Sequence, residues 1–353
     1  MKIKVLHPEL LIHTTIRLSV IVLCAMILNA CSSDDSTTQS PDTPPSEEPK
    51  DCTRPDFLKQ GDTIAIVSPS YVTSEENIEK GMEVIRSWGF VPVKAPHLNK
   101  SYLSRYAGTI AERASDIEWA YNNPQVKAIL CTRGGYGTIQ LLNVLPTDIY
   151  TRHPKWLVGY SDITTLLSAS VTSGAMCIHG TMLTSLVGTQ GVADDDRQLV
   201  KLLQGEIPHY DWQTDYDNKP GTAQGMLVGG NLCTIAPLIG TAYDFTSKGD
   251  IILFIEEIGE NARNIDRILY SLKVHGTLSR VKGIITGDFY QNGDEFQIGN
   301  IEDMIRKYTY SEVDIPIAHG FRAGHAGVNY PLIEGAKVML QVTDHQATLD
   351  FNL

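Results

Sequence analysis

A chain of 353 residues, 42% hydrophobic and only 20% charged, is long enough for two cores and too apolar to be disordered throughout. Its formal net charge of −12, with no cluster of Lys and Arg, argues against a nucleic-acid partner, because neutralising phosphates needs concentrated positive charge.

The N-terminus reads as a targeting segment. Lys2, Lys4 and Arg17 precede the apolar run Leu18 to Leu28. That run is shorter than the roughly 20 residues of a spanning helix and fits the apolar stretch of a signal peptide, residues 1–30. It ends Leu28-Asn29-Ala30-Cys31, which resembles the cleavage box of bacterial lipoproteins. Cleavage there would leave Cys31 to carry acyl chains and anchor the protein to a membrane of the cell envelope. An ordinary secretory signal is the alternative. Residues 32–50 contain no apolar side chain, so 31–56 is expected to be a disordered tether, extended by Pro41, Pro44, Pro45 and Pro49. Cys52, Cys131, Cys177 and Cys233 follow. They are widely spaced with no CxxC, which indicates neither a zinc site nor a dense disulfide framework. The last three sit in apolar stretches and are expected to be buried thiols.

From residue 57 the pattern alternates strands with helices. Thr63 to Val67 is a buried strand. Thr73 and Glu76 have capping-box spacing before a helix carrying Ile78, Met82, Ile85 and Trp88, closed by Gly89. Phe90 to Val93 is the next strand. Ile110, Ala114, Ile117 and Tyr121 mark a second helix ended by Asn123-Pro124. Lys127 to Cys131 and Lys155 to Gly159 are further strands, the latter followed by a helix over Asp162 to Thr172. Met176 to His179 is a fifth strand. Such alternation predicts an α/β fold with a mainly parallel sheet over 57–187, with function at the carboxyl ends of its strands. The pattern weakens over 188–222, which reads as a crossover linker. A second domain, 223–353, has strand candidates at 225–228, 251–255, 283–286, 316–318, 337–342 and 347–351, and one helix over Ala262 to His275. Its last two strands form a hairpin.

Gly159-Tyr160-Ser161-Asp162 places a serine at a strand-to-helix turn, where its hydroxyl would stand above the sheet near backbone N–H groups. A helix-capping serine is the commoner meaning of such a position. Arg133-Gly134-Gly135-Tyr136-Gly137 follows the third strand, and its glycines permit close backbone approach, as an oxyanion donor or as a tight turn. It matches neither dinucleotide nor P-loop fingerprints. Glu256 and Glu257 end an apolar strand, where a carboxylate is costly unless partnered. His325 lies in a glycine-rich loop. Ser161, Glu256 and His325 together supply nucleophile, acid and imidazole, although His179 or His319 would serve the same chemistry. Without HExxH or a tight His/Asp set, no metal and no cofactor is expected.

Five blocks, in order, carry a resemblance to the LD-carboxypeptidase family of serine peptidases, which also holds the microcin-immunity peptidases. They are GDTIAIVSPS (61–70), RGGYG (133–137), VGYSDIT (158–164), GGNL with LFIEEIGE (229–260) and GHAGVNYPL (324–332). The resemblance implies a Rossmann-like N-terminal domain with the nucleophile and a β-rich α/β C-terminal domain with the other two residues. It implies Ser161, Glu256 and His325 as a catalytic triad, with the backbone N–H groups of Gly135 and Asp162 as oxyanion donors. The family typically has Glu-Asp where this chain has Glu256-Glu257. The implied substrate is the murein tetrapeptide, cut between the diamino acid's L-centre and terminal D-Ala. Arg133 and Arg322 are candidates for its carboxylate, and Tyr136 for a further contact. Members often dimerise, so a homodimer is a further expectation. The competing readings are an amidase acting on peptide–nucleotide antibiotics and a surface lipoprotein that only binds murein peptides. An α/β-hydrolase esterase is disfavoured because Ile163 replaces the second glycine of GxSxG.

Overall fold

The computed structural model describes residues 51–290, 301–311 and 313–353. The signal peptide, the Cys31 lipidation site and nearly all of the tether lie outside the described residues.

Strand β1 (Thr63–Val67) is almost wholly buried, as befits a central strand covered on both faces. It is joined in parallel by β2 (Val91–Lys94) and β3 (Val126–Cys131), and beyond β3 by β4 (Trp156–Gly159) and β5 (Cys177–His179). The order β2-β1-β3-β4-β5 reverses between β1 and β3, the place where such sheets bind ligands. Helices Glu75–Ser87 and Ile110–Asn122 connect the first three strands. The second opens with a capping box between Thr109 and Glu112. The first is capped by Ser74, not Thr73: the Ser74 side chain accepts the Asn77 N–H, while the Thr73 N–H donates to Asn99 Oδ1.

The second sheet is mixed. Chain order gives β6 (His209–Gln213), β7 (Gly221–Asn231), β8 (Ile251–Ile258), β9 (Val281–Tyr290), β10 (Ile317–Ala318), β11 (Leu332–Glu334), β12 (Lys337–Val342) and β13 (Gln346–Asn352). All but β11 form one sheet in the order β10-β9-β8-β7-β12-β13-β6, with β7 to β10 parallel and the hairpin β12–β13 antiparallel. Helix Ala262–His275 lies where its apolar periodicity predicts.

Two features depart from expectation. The stretch 188–222 is not a bare crossover. It carries helix Asp194–Leu203, which buries Leu199, Leu202 and Leu203, and then β6. Asp194, Asp195 and Asp196 fill the first helical turn, where the helix dipole favours negative charge; in sequence the same run resembles a break. The other is β11, too short for a period and bounded by Pro331 and Gly335. It leaves the second sheet to pair antiparallel with β5 of the first, Leu332 opposite His179 and Glu334 opposite Cys177. Strand β11 therefore pins the preceding loop beside the carboxyl ends of β4 and β5. The end of β7 closes on the same place: the Asn231 N–H donates to Thr164 Oγ1 at 3.2 Å. Among the described residues no helix is long and apolar enough to cross a membrane.

Candidate active site

Strand β4 ends at Gly159, and the chain turns through Ser161 into a short 3-10 turn, Ser161–Ile163, and then helix Thr164–Ser173. Ser161 has φ +63°, a left-handed conformation that costs a non-glycine residue about 1 kcal/mol. The turn is tight enough that a Cβ at Gly159 would fall 2.8 Å from Ile163 Cγ2.

The Arg133–Gly137 loop lies directly against this corner. A Cβ at Gly134 would meet the Ser161 side chain, and Gly135, at φ +135°, packs against Tyr71. Asp162 braces loop and corner together. Its buried Oδ2 accepts Ser70 Oγ–H at 2.7 Å and the Thr138 N–H at 3.0 Å, while Thr138 Oγ1 donates to the Asp162 carbonyl at 2.5 Å. Burial lifts the Asp162 pKa above the usual carboxylate range against the pull of those hydrogen bonds. Arg113, also buried, donates to the carbonyls of Pro69 and Gly137 and to Gln140 Oε1. Arg113 and Thr138 belong to no motif in the sequence, and Ser70 is merely the last residue of the first block. Their work appears only when the loops after β1 and β3 meet.

On the other side, β8 delivers Glu256, wholly buried, whose Oε2 lies 2.7 Å from His325 Nδ1. Burial pulls the His325 pKa down, but the Glu256 hydrogen bond and charge, with Glu257 and Asp288 behind, outweigh it and hold it above the usual histidine value. The loop is fixed from below. The Ala326 N–H donates to Asp288 Oδ2, the Gly324 N–H to Asn329 Oδ1, and the Asn329 N–H to Asp195 Oδ2. Gly324 has φ +133°, and a Cβ there would sit 3.1 Å from Glu256 Oε2. The Ser161 hydroxyl makes no hydrogen bond to His325 among the described residues. The two are linked through Tyr160, whose ring centroid is 5.0 Å from that of His325.

Of the three histidines that the sequence leaves open, only His325 has a carboxylate hydrogen-bond partner among the described residues. His179 is buried against Asn329 with its pKa pushed down to about 3, and His319 is buried against Thr286 with its pKa pushed down to about 4, both by desolvation. Gly135, Tyr136, Ser161 and Asp162 line one cleft of about 260 Å³. Arg133 is exposed, is not among the residues that line it, and donates to the Gly134 carbonyl. Arg322 stands apart from the cleft, over the Tyr330 ring at 5.9 Å. Cys131 and Cys177 are buried thiols as expected, but Cys233 is exposed and lines the cleft, because it opens the short helix after β7 at the junction of the sheets. Among the described residues no group of three or more His, Cys, Asp or Glu side chains is placed to hold a metal ion.

Residues 64–180 match the LD-carboxypeptidase N-terminal domain and residues 224–340 the LD-carboxypeptidase C-terminal domain. A putative carboxypeptidase of Synechocystis sp. is 32% identical over 302 residues, covering 83% of this chain and 95% of the relative. A probable murein peptide carboxypeptidase of Bacillus subtilis is 29% identical, covering 84% and 94%. Among solved structures, the muramoyltetrapeptide carboxypeptidase of Oxalobacter formigenes superposes with a TM-score of 0.75 at 26% identity, covering 82% of this chain and 99% of its own. An MccF-like protein of Bacillus anthracis does so with a TM-score of 0.75 at 27% identity, covering 85% and 100%.

Proposed function

The chain belongs to the LD-carboxypeptidase family of peptidases, and on that premise we propose that it is a serine-type enzyme releasing terminal D-Ala from murein tetrapeptide. The observation that carries the reading is the Glu256–His325 pair, whose imidazole lies against Tyr160, the residue that precedes a strained Ser161 at the head of a helix.

Glu256 accepts from His325 Nδ1, which leaves Nε2 as the base and stabilises the imidazolium once it forms. His325 takes the Ser161 proton as Oγ attacks the carbonyl between the diamino acid and D-Ala. The tetrahedral oxyanion is met by the Gly135 and Asp162 N–H groups, one such donor typically being worth ~3–4 kcal/mol in the barrier. The C–N bond breaks, His325 protonates the leaving amine of D-Ala, and water, deprotonated by His325, releases the acyl group from Ser161. Arg133, near enough to Tyr160 to act on it electrostatically, supplies positive charge for the terminal carboxylate. This chemistry calls for no cofactor.

An amidase acting on peptide–nucleotide antibiotics is the second reading, supported by the likeness to the MccF-like protein. The murein reading is preferred because the relative and the solved structure named above act, by their names, on murein peptides. A lipid anchor at Cys31, a cell-envelope location and a homodimer belong to the same proposal. They rest on the sequence of residues 1–50 and on the family's habit.

The test is free D-Ala released from murein tetrapeptide by the purified protein and by Ser161→Ala. Release by wild type alone supports the reading; release by both, or by neither folded protein, overturns it. Acyl labelling abolished by Cys31→Ala, and a dimer mass by light scattering, check the anchor and the assembly.

A further inference from the structure

Two cavities border the reacting groups. Successive side chains on a strand face opposite ways, so β8 turns Glu256 toward His325 and Glu257 into the cleft that Gly135, Ser161 and Asp162 line. His325 does not line that cleft. It lines a second cavity of about 220 Å³, together with Tyr160, Thr181, Asp195, Asp196 and Asn329.

The chemistry of the second cavity suits water. Thr181 is 3% exposed and Asn329 5%, yet Thr181 Oγ1 and Asn329 Nδ2 have no hydrogen-bond partner among the described residues. A buried polar group left unpaired is costly, and in a polar cavity of this size ordered water is the usual remedy. The rest of Asn329 is engaged: its Oδ1 accepts the Gly324 N–H and lies 3.1 Å from His179 Nε2, and its own N–H donates to Asp195. Asp195 and Asp196 line the cavity, and no Lys or Arg does. A departing D-Ala, which carries a carboxylate, is repelled from such a space, and a neutral water is not.

The position of the cavity says when that water is used. His325 Nδ1 is committed to Glu256, which leaves Nε2 for both proton transfers of the cycle. After D-Ala has left, the acyl group is held on Ser161 with its oxygen toward the N–H groups of Gly135 and Asp162, on the side of the first cleft. The water that ends the cycle must reach Nε2 through a space that His325 borders and the acyl group does not fill. The second cavity is such a space.

We propose that this cavity is the water pocket of the deacylation step, with Thr181 as the residue that positions the attacking water. The inference rests on the serine-peptidase reading and deepens it. The water oxygen bonds to the acyl carbon while one water proton passes to His325 Nε2. The bond from that carbon to Ser161 Oγ then breaks, and Oγ takes the proton back from His325.

The test separates the two halves of the reaction. In a tetrapeptide analogue whose terminal D-Ala is replaced by D-lactate, the scissile bond is an ester, and acylation is fast. The full-length wild type, Thr181→Val and Thr181→Ser are mixed with it, D-lactate release is followed, and the lifetime of the acyl group on Ser161 is read by intact mass. Thr181→Val removes a hydroxyl with no protein partner, so Tm should hold or rise. Its acyl-enzyme should live about tenfold longer, the worth of one ordinary hydrogen bond, after a burst of about one D-lactate per enzyme. kcat and KM should fall together, leaving kcat/KM unchanged, and Thr181→Ser should restore the wild-type lifetime. An unchanged acyl lifetime in Thr181→Val, a kcat/KM that falls as far as kcat, or a lifetime that serine does not restore overturns this inference alone. No acyl mass on Ser161 in any of the proteins, with no D-Ala released from the tetrapeptide itself, overturns the serine-peptidase reading and this inference with it.

Discussion

Gly134 lies so close to Ser161 that a Cβ built on it would fall 2.9 Å from Ser161 Cβ and 3.0 Å from Oγ. The loop after β3 and the corner after β4 touch at that point, and only a residue without a side chain leaves the hydroxyl in place. Gly134→Ala should push the Ser161 side chain off its position and lower kcat by about 100-fold, the usual penalty for misplacing a reacting group by an ångström. Tm should move little. A variant with wild-type kcat would show that the corner yields without consequence.

Ser161 holds a left-handed backbone, so removing its hydroxyl in two ways separates strain from chemistry. Ser161→Gly and Ser161→Ala should both be inactive, but the glycine variant should be the more stable by about 1 kcal/mol, because glycine adopts φ near +63° without a Cβ clash. Denaturant titration of the two proteins measures the difference. Equal midpoints would mean that the corner stores no strain.

Glu256 sets the working pH of His325. The imidazole must be neutral to accept the Ser161 proton, and its pKa is held above the ordinary 6.5 by Glu256, so the acid limb of kcat/KM should fall above that value. Glu256→Gln removes the charge, moves the limb to lower pH and lowers kcat by roughly 10³–10⁴-fold. The pH profiles of the two proteins decide; an acid limb that stays in place in the variant would remove Glu256 from this role.

Glu257 should leave a signature in stability. Its pKa rises from 4.5 to about 7 on folding, so the folded state binds more protons than the unfolded one between those values. Stability contributed by this group is therefore greatest below about pH 4.5 and is lost as pH rises toward 7, by up to ~3 kcal/mol. Relative to Glu257→Gln, wild type should lose stability across that window and run parallel above it. Urea titrations at about pH 5 and pH 8 give the comparison. A constant difference between the proteins would mean that the carboxyl titrates normally.

Much of the fold was legible in the chain. The strands Thr63–Val67 and Lys337–Val342 and the helix Ala262–His275 occur where their periodicities put them, because burial on one or both faces imposes a repeat that needs no partner's identity. The elements that local pattern misplaced were those whose reason lies elsewhere in the molecule. Ser74 caps instead of Thr73, whose N–H is bound by Asn99, well downstream. Strand β11 exists because β5 offers an edge to its three residues. The three aspartates at 194–196 look like a loop until the helix dipole and the Asn329 N–H meet them.

The chain by itself determined the alternation that builds a parallel sheet, the serine at the end of β4 and the glycines around it, since each depends on near neighbours and backbone freedom. Tertiary structure alone decided which histidine gains a carboxylate, that the two adjacent glutamates face different sites, and that Asp162, Ser70 and Arg113 clamp the loops together. Glu256 and His325 stand 69 positions apart, and Ser70 and Asp162 stand 92 apart. Hydrogen bonding and desolvation act over a few ångströms of space, so their consequences at such separations arise only when distant strands have been assembled into a sheet.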